Sequence, residues 1–519
     1  MINKIAIIDC QQLKQDQTVE ADVLIIGSGA GGGISAQILA EAGLKVVIVE
    51  EGPYKTTQDF HMQESEAYPD LYQEVASRKT KDKAITILQG RTVGGGTTVN
   101  WTSCFHIPDN TLGYWRKNYD WQLTSKDLQD AYEYSEKLLN IHPWPVHNPS
   151  NAAFLRGASK LNWQHEVIAR NVKNCRNLGY CGLGCPVGAK QSTLVTCIPA
   201  ALKNGAKLYT RLRAAKLLGK GDKVDSVECH ALKKNGVDPT GVKVHIKAKQ
   251  VVLAAGGIGS AAILMRSQLP DPHQLIGKRT FLHITAASAA LMNEKIDPYY
   301  GAPQTITSNE FLWRDGIEGK MGYKIESAPM QPVLAATVFN AYGQAHADAM
   351  ARISHIQPLI ALLRDGFNEQ SQGGEVRLHD DGSPFLDYPL NNYVWDGVKN
   401  AYLSMAELQF AAGAKEVMPV HSEAAWYKSW KQAGRAINTL SYQALRPKLF
   451  SAHVMGGCTM SADENRGVVN LDARHHYLSN LYVFDGSIFP TSIGANPSLP
   501  IYALTTYLAN LLSRDLLQK

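Results

Sequence analysis

The chain has 519 residues, of which 19% are charged and 45% are hydrophobic, and these proportions exclude an intrinsically disordered protein. Its length exceeds what one hydrophobic core usually supports, so we expect two domains. The formal net charge of +5 is small for this length and gives no reason to expect nucleic-acid binding.

The N-terminal segment, MINKIAIIDCQQLKQDQ, has none of the features of a targeting signal. It lacks an apolar core, a small-residue cleavage site and a twin arginine, and no apolar run of the sequence is long enough to span a bilayer. We therefore predict a cytoplasmic protein, with peripheral association with the inner membrane as the alternative. In that compartment the eight cysteines are expected to be reduced or metal-bound rather than disulfide-paired.

Residues 21–53 contain the parts of a dinucleotide-binding βαβ unit in the expected order. An apolar run (23–26) predicts a buried strand, a run of helix formers (34–42) predicts a helix, and a second apolar run (45–49) predicts another strand. Between the first strand and the helix, Gly27, Gly29 and Gly32 satisfy G-x-G-x-x-G. Glu50 follows the second strand.

Each part of this unit has a physical task. The first glycine permits a tight turn, the second lets the backbone approach a pyrophosphate, and the third lets the helix pack on the strand. The helix N-terminus offers unpaired N–H groups to the phosphates. Glu50 can accept hydrogen bonds from both ribose hydroxyls and disfavours a 2′-phosphate. The unit therefore predicts a dinucleotide site rather than a structural turn, and a cofactor other than NADP.

A second glycine-rich segment spans residues 88–101. Gly94, Gly95 and Gly96 remove every side chain from one stretch of backbone. Two interpretations are equally supported by the sequence alone, namely close contact with a flat ligand or phosphate and a flexible loop.

Further segments indicate that the nucleotide-binding domain is assembled from separated parts of the chain. Residues 251–257 predict a buried strand that runs into glycines, and residues 481–486 predict a strand that ends at Asp485 and Gly486. Residues 281–445 are richer in aromatic residues and mixed short strands, which predicts a second domain with a largely antiparallel sheet. The predicted division is 1–280, 281–445 and 446–519, with the first and last parts forming one domain.

Three longer helices are predicted elsewhere in the chain. Residues 115–139 are amphipathic, and residues 394–412 predict a helix of the second domain. Residues 349–363 have apolar residues at helical spacing, interrupted by Pro358. We interpret this third segment as a core helix, with a substrate lid and a membrane-facing helix as alternatives.

Together these segments resemble the glucose–methanol–choline (GMC) flavin oxidoreductases over essentially the whole chain. The 21–53 unit, GRTVGGG (90–96) and DGSIFP (485–490) are similar to the flavin-binding segments of that family. ILQGRTVGGGTTVNW and CGLGCPVGAKQS are most similar to long-chain fatty alcohol oxidases, and HVMGGCTM and GANPSLPI are also similar to cholesterol oxidases. The resemblance implies an α/β fold, with a Rossmann-like FAD-binding domain built from separated segments and a substrate domain with a mostly antiparallel sheet and helices.

The resemblance also implies the cofactor and the residues around it. Some members attach FAD covalently through a histidine just before the asparagine of the glycine-rich segment, where this chain has Val99 before Asn100. We therefore expect non-covalent FAD. In addition to the N-terminal unit, the resemblance assigns FAD binding to Gly94, Gly95, Gly96, Asn100, Asp485, Gly486 and Pro497.

Oxidation of an alcohol needs a base for the hydroxyl proton and an acceptor for the hydride, which a flavin N5 supplies. His453 matches the catalytic histidine of the family, and Asn496 matches the position of its partner in cholesterol- and choline-oxidising members. Without the resemblance, His453 would be an ordinary histidine and Asn496 a turn residue before Pro497. Glu326 is interpreted as a solvated surface glutamate rather than a carboxylate of the pocket.

We therefore expect FAD-dependent oxidation of a small-molecule alcohol to an aldehyde or ketone, with a long-chain or otherwise apolar alcohol as the substrate. The alternatives are a sterol oxidase, a sugar or polyol dehydrogenase that relays electrons through an iron–sulfur cluster, and a flavoprotein like the hydroxynitrile lyases. Oxygen, a quinone or a cytochrome is the expected electron acceptor.

The cysteine-rich loop (174–197) leaves several alternatives open. Cys175, Cys181 and Cys185 are spaced C-x5-C-x3-C, with Cys197 nearby, and could bind an iron–sulfur cluster. The spacing is similar to a loop of the family's sugar dehydrogenases that holds a three-iron cluster, but fatty alcohol oxidases keep the last two cysteines without a cluster. A disulfide, zinc and buried free thiols are further alternatives. We favour a loop that covers the FAD structurally, and we predict no metal site.

Overall fold

The computed structural model describes residues 6–339 and 341–518, and it contains two large β-sheets. The part of the N-terminal targeting prediction that rests on residues 1–5 lies outside the described residues. None of the helices over 6–339 and 341–518 has both the length and the hydropathy that a bilayer span requires.

The first sheet has eight strands and a parallel core. The strand Val46–Glu50, for example, is buried on both faces. Strands of a parallel sheet are covered on both sides, which is why they are continuous apolar runs in the sequence. The order across the sheet is Ile7–Asp9, Lys207–Thr210, Val46–Glu50, Gln17–Ile26, Pro239–Leu253, Lys223–Leu232 and Leu212–Lys220, with Leu481–Val483 also paired to Pro239–Leu253. The last two strands of that order run antiparallel, and Leu481–Val483 is parallel to its partner.

The register of the first sheet brings the nucleotide-binding turn to its carboxyl edge. Val23 pairs with Val46 and Ile26 with Val49, while Ile26 also pairs with Leu253 on the other side. The turn that follows Ile26 therefore lies beside the end of two neighbouring strands. In open parallel sheets, ligands bind at this edge.

The second sheet also has eight strands, and all but one of its strand pairs are antiparallel. Its order is Ile85–Ile87, Leu449–Ser451, Thr285–Leu291, Ile356–Leu363, Tyr323–Ser327, Ile306–Phe311 and Glu166–Val167, with Glu416–Pro419 also paired to Thr285–Leu291. The predicted combination of a parallel α/β sheet with a mostly antiparallel second sheet is confirmed. The division at residues 280 and 445 stays a prediction.

Helices cover both sheets, and three short sheets complete the fold. The short sheets pair Thr280–Phe281 with Met455–Gly456, Glu375–Leu378 with Pro384–Asp387, and Ala169–Asn171 with Ser103–Cys104 and Ile141–Pro143. The α-helices are Ala30–Glu41, Glu64–Leu71, Gly96–Val99, Asp109–Tyr119, Gln129–Leu138, Pro149–Lys160, Cys197–Lys203, Gly256–Ser267, Pro332–Val338, Gly343–Ala351, Asn392–Ala411, Trp430–Ile437 and Ser498–Leu517. Ala30–Glu41 packs against Cys197–Lys203 and Ser498–Leu517, and Asn392–Ala411 packs on the second sheet.

Two of the predicted helices are wrong in part. The helix predicted over 349–363 ends at Ala351, and Ile356–Leu363 is instead a strand in the interior of the second sheet. A short apolar run has no decisive periodicity, and Pro358 opposes a helix because it lacks an N–H. The helix predicted over 115–139 is two helices, since Asp120 adopts a left-handed conformation (φ 54°) after the first.

Candidate active site

A cavity of about 1290 Å³ is lined by residues of both sheets. On one side lie the glycine turn after Gln17–Ile26 and the end of Val46–Glu50. On the other side lie residues of the second sheet, among them Thr285 and Leu359. The cavity thus extends from the carboxyl edge of the parallel sheet to the antiparallel sheet.

The glycine turn is packed so closely that side chains would not fit at several positions. Gly27 has φ +104°, and a Cβ on it would overlap the carbonyl oxygen of Ala254. A Cβ on Gly32 would overlap the carbonyl oxygen of Gly27, whereas a Cβ on Gly29 would meet open space. The turn is therefore compressed on its sheet side and leaves bare backbone toward the cavity, as close approach of a pyrophosphate requires.

Glu50 is buried, with 7% of its surface exposed, and its carboxylate holds the turn in place. Oε2 accepts hydrogen bonds from the Ser28 backbone N–H (3.1 Å) and from Ser28 Oγ (2.6 Å). Oε1 accepts one from the Gly52 N–H (2.9 Å). Burial raises the pKa of Glu50, and the hydrogen bonds from Ser28 and Gly52 oppose this effect.

The second glycine-rich segment packs directly on the first. Gly94 and Gly95 have φ +91° and +50°, and a Cβ on Gly95 would lie 3.0 Å from the Cα of Gly29. The Gly94 N–H donates to Ser28 Oγ over 2.9 Å. Of the two interpretations of this segment, its packing favours close backbone contact with a ligand over a flexible loop.

Asp485 joins the C-terminal part of the chain to the same site. Its Oδ2 accepts hydrogen bonds from the Gly256 N–H (2.9 Å) and from Ser260 Oγ (2.6 Å), and its Oδ1 accepts one from the Ser487 N–H (2.8 Å). The side chain thus links two separate turns that both line the cavity, one at Gly256 and one at Gly486.

His453 lies on the cavity wall and is backed by a second histidine, His283. The two Nδ1 atoms are 3.1 Å apart, within hydrogen-bond distance, and the ring centroids are 5.3 Å apart. His283 is completely buried and is not part of the cavity lining. Nε2 is the ring nitrogen of His453 that remains for a molecule in the cavity.

Asn496 is another polar side chain of the cavity wall, and a buried carboxylate orients it. Its Nδ2 donates to Glu326 Oε2 over 3.3 Å, and Gln304 Nε2 donates to the same oxygen over 2.6 Å. Glu326 Oε1 lies 3.1 Å from the ammonium of Lys324, and both side chains are buried. The prediction that Glu326 is a solvated surface residue is therefore wrong, because Lys324 and Glu326 lie two residues apart on a strand and share an inward face.

Burial is the main reason that His453 is neutral. Burial, and next the Lys324 cation, lower the pKa of His453 to about 3. Burial lowers the pKa of His283 well below its usual range. Both imidazoles are therefore neutral at pH 7, which is the state that a proton acceptor needs.

The structure brings most of the predicted site residues to one cavity. His453, Asn496, Gly27, Gly29, Glu50, Gly95, Gly96, Asn100, Asp485, Gly486 and Pro497 line it. Gly32 and Gly94 do not line it and act through packing and hydrogen bonding of the two glycine-rich segments. Sequence reasoning missed His283 and Gln304, for which the sequence carries no local motif, and Lys324, whose only signal is its spacing of two residues from Glu326 on one strand.

The cysteine-rich loop is attached to the second glycine-rich segment through buried Lys190. The ammonium of Lys190 donates to the carbonyl oxygens of Thr98 (2.5 Å), Asn100 (2.9 Å) and Cys181 (2.6 Å). Burial lowers the pKa of Lys190 to about 8. Over residues 6–339 and 341–518, no group of three histidine, cysteine or acidic side chains is arranged to hold a metal ion. All eight cysteines are free thiols.

The residues at the cavity fit a flavin dinucleotide. Bare backbone at Gly29 faces open space, and Glu50 ends the second strand as a ribose-binding acid should. The buried oxygens Asn100 Oδ1 and Asn496 Oδ1 have no hydrogen-bond partner among the described residues. Buried polar atoms of this kind are expected to be satisfied by a ligand.

Models of known protein families match long parts of this chain. Models described as "GMC oxidoreductase" match residues 68–285 and 370–505, together more than half of the chain, and one described as "FAD binding domain" matches residues 22–83.

Individual relatives are distant but extend over nearly the whole chain. The chain is 28% identical to an uncharacterized GMC-type oxidoreductase, Rv0492c, of Mycobacterium tuberculosis (94% of this chain, 75% of the relative). It is 26% identical to the long-chain-alcohol oxidase FAO4A of Arabidopsis thaliana (96% and 69%) and 24% identical to a cholesterol oxidase of Acinetobacter baumannii (93% and 92%). Among solved structures, pyridoxine 4-oxidase from Mesorbium loti aligns with a TM-score of 0.69 at 15% identity over 95% of this chain and 99% of its own, which shows the fold.

Proposed function

Because the chain belongs to the GMC oxidoreductases, FAD-dependent enzymes that oxidise CH–OH donors, we propose that it oxidises a long-chain or otherwise apolar alcohol to the aldehyde or ketone, with His453 as the base. The observation that carries the proposal is the combination of two polar groups, His453 and Asn496, with an apolar wall in one cavity.

The apolar wall favours a hydrocarbon substrate over a sugar. Among the described residues, the lining between Thr285 and Leu362 includes no charged side chain. Its apolar members include Ala289, Met330, Leu334, Val338, Leu359 and Leu362. Each methylene buried there contributes about 0.8 kcal/mol of binding free energy, whereas sugar hydroxyls would lose hydrogen bonds to water.

FAD would be held by the two glycine-rich segments, Glu50 and the Asp485–Gly486 turn, with Asn100 and Pro497 also at the cavity. When bound, FAD supplies the acceptor for the hydride that leaves the alcohol carbon. The glycine-rich segments fit FAD because they present backbone, and not side chains, to the ligand.

His453 and Asn496 divide the remaining work on the alcohol group. Neutral His453 accepts the hydroxyl proton at Nε2, while the carbon–hydrogen bond breaks and the carbonyl double bond forms. Asn496, held by Glu326, hydrogen-bonds the substrate oxygen and fixes the direction of the reacting carbon. Lys324 Nζ lies 3.1 Å from Glu326 Oε1 and pairs with it in the interior, which leaves Glu326 Oε2 to accept the hydrogen bond from Asn496.

Oxygen is the electron acceptor that we propose, because several curated relatives are oxidases by name. A sterol is the second candidate substrate, favoured by the similarity to cholesterol oxidase. A cytoplasmic location and peripheral membrane association stay predictions.

The proposal is tested by anaerobic mixing of the purified flavoprotein with a series of alcohols. We expect the second-order rate of flavin bleaching to rise from ethanol to dodecanol, because each added methylene is buried until the cavity is full. A flat profile or a preference for glucose would contradict the apolar substrate, and a preference for cholesterol would select the sterol. Rapid recolouring in air is expected for oxygen, and persistent bleaching until a quinone is added would contradict that part.

A further inference from the structure

The strongest unexplained feature near the site is His283, which contacts His453 but does not reach the cavity. The inference below rests on the proposed function, since it concerns how His453 becomes a base.

His283 is held in a conformation that its own backbone disfavours. Its φ is +48°, in the left-handed region that non-glycine residues rarely adopt. Asp365 fixes this conformation, because its Oδ1 accepts from the His283 N–H (3.0 Å) and its Oδ2 from the Leu282 N–H (2.9 Å). Tyr388 OH donates to the same Oδ2 over 2.6 Å. A strained backbone secured by a buried carboxylate indicates that the direction of the His283 ring matters.

The contact between the two rings allows only two arrangements of protons. At 3.1 Å, one Nδ1 must carry a hydrogen and the other must accept it, since both imidazoles are neutral. If His283 were the donor, the hydrogen of neutral His453 would be on Nε2, and that nitrogen could not accept a proton from a molecule in the cavity. If His453 is the donor, its Nε2 carries a lone pair toward the cavity.

We propose that His283 is a positioning residue, which accepts the Nδ1–H of His453 and thereby keeps Nε2 of His453 unprotonated and directed at the substrate hydroxyl. When His453 takes the hydroxyl proton at Nε2, it becomes an imidazolium whose Nδ1–H still donates to Nδ1 of His283. No proton passes to His283, whose own hydrogen stays on its buried Nε2. The role is that of the group behind an active-site imidazole, which selects the tautomer and orients the ring.

Two substitutions distinguish this role from simple packing. His283→Asn places an amide oxygen near the position of Nδ1 and tolerates a positive φ, so it preserves the acceptor. His283→Leu removes the acceptor. We expect His283→Leu to slow flavin reduction by dodecanol by about 10- to 100-fold with FAD retained, by analogy with the loss that follows removal of the hydrogen-bond partner of a metal-bound imidazole. His283→Asn should recover most of the rate.

A double substitution and a control complete the kinetic test. In a His453→Gln background, where the base is absent, His283→Leu should cause less than about a two-fold further change, because the two residues act as a unit. His475→Leu is the matched control, since His475 is also buried (2% exposed, against 0% for His283), has an unpartnered Nε2 among the described residues, and does not line the cavity. It should leave flavin reduction unchanged.

The tautomer of His453 gives a readout that does not depend on activity. In long-range ¹H–¹⁵N spectra of the ¹⁵N-histidine-labelled oxidised protein, the resonances lost in His453→Gln identify His453. We expect a protonated Nδ1 and an unprotonated Nε2, and the opposite tautomer would overturn the inference. The inference would also be overturned if the flavin of His283→Leu were reduced at the native rate, or if His283→Leu slowed flavin reduction as much in the His453→Gln background as in the native protein. A native rate in His453→Gln itself would instead contradict the proposed function.

Discussion

Substitution of Glu326 by glutamine tests the buried ion pair on which the orientation of Asn496 depends. Glu326 and Lys324 are 0% and 1% exposed, and their charged atoms are 3.1 Å apart. Two unit charges at this distance attract each other by about 5 kcal/mol at an effective dielectric constant of ~20. Removal of one partner leaves the other charge buried and uncompensated, which typically costs about 3–5 kcal/mol. We therefore expect Glu326→Gln to lower the free energy of unfolding by about 3–5 kcal/mol at pH 7.

The pH dependence of this loss is a second, independent signature. Burial lowers the pKa of Lys324 below 10.5, and the Glu326 carboxylate opposes this effect. Without the carboxylate, the pKa of Lys324 falls further in the folded state. At pH values between that lowered pKa and 10.5, Lys324 is mostly deprotonated in the folded protein and mostly protonated in the unfolded protein, so the unfolded state binds more protons. Stability of the variant then rises with pH, and its defect should be smaller at pH 9.5 than at pH 7.

Urea denaturation at both pH values, followed by circular dichroism with FAD in excess, measures these effects. Lys324→Met combined with Glu326→Gln should restore much of the stability, because it removes the uncompensated charge. Asp387→Asn, which breaks the exposed pair with Lys81, should cost no more than about 1 kcal/mol. A Glu326→Gln protein within 1 kcal/mol of the native one would refute the account of a buried ion pair behind the site.

Four further predictions concern the cofactor and the base. Acid precipitation should release FAD into the supernatant, because Val99 stands where a flavin-linking histidine would be, and a yellow pellet would contradict this expectation. The purified protein should contain less than about one equivalent of iron, and about three irons per FAD would contradict that expectation. Gly31→Ala should yield protein without bound FAD, since a Cβ there would overlap the carbonyl oxygen of Phe484, whereas Gly113→Ala, in open space on the helix Asp109–Tyr119, should keep its flavin absorbance. The rate of flavin reduction should stay constant from pH 8 to pH 5, because the base acts when it is neutral. The rate should decline only as the pH falls toward the lowered pKa of His453, about 3. A half-maximal rate near pH 6.5 would show an ordinary histidine.

Local features of the site could be predicted from the sequence because their parts are adjacent in the chain. The glycine turn and Glu50 lie within one βαβ unit, where the spacing of residues determines which of them meet. The strands around this turn were predicted for the same reason, since buried parallel strands are continuous apolar runs.

The remaining residues of the site meet only through the tertiary fold. His283 and His453 are 170 residues apart, as are Glu326 and Asn496, and no spacing rule relates them. His453 and Asn496 were predicted only through resemblance to a family. Glutamate is rarely buried, so the sequence alone favours a surface position for Glu326, and this rule fails where a buried lysine compensates the charge. The alternation of Lys324 and Glu326 along one strand was the available signal for a shared face.

Anaerobic stopped-flow reduction of the His453→Gln protein by dodecanol shows whether His453 is the base. We expect the variant to bind FAD with a normal flavin spectrum and to be reduced about 10²- to 10⁴-fold more slowly than the native protein, the usual contribution of a positioned general base. Reduction of His453→Gln at close to the native rate would mean that another group takes the hydroxyl proton.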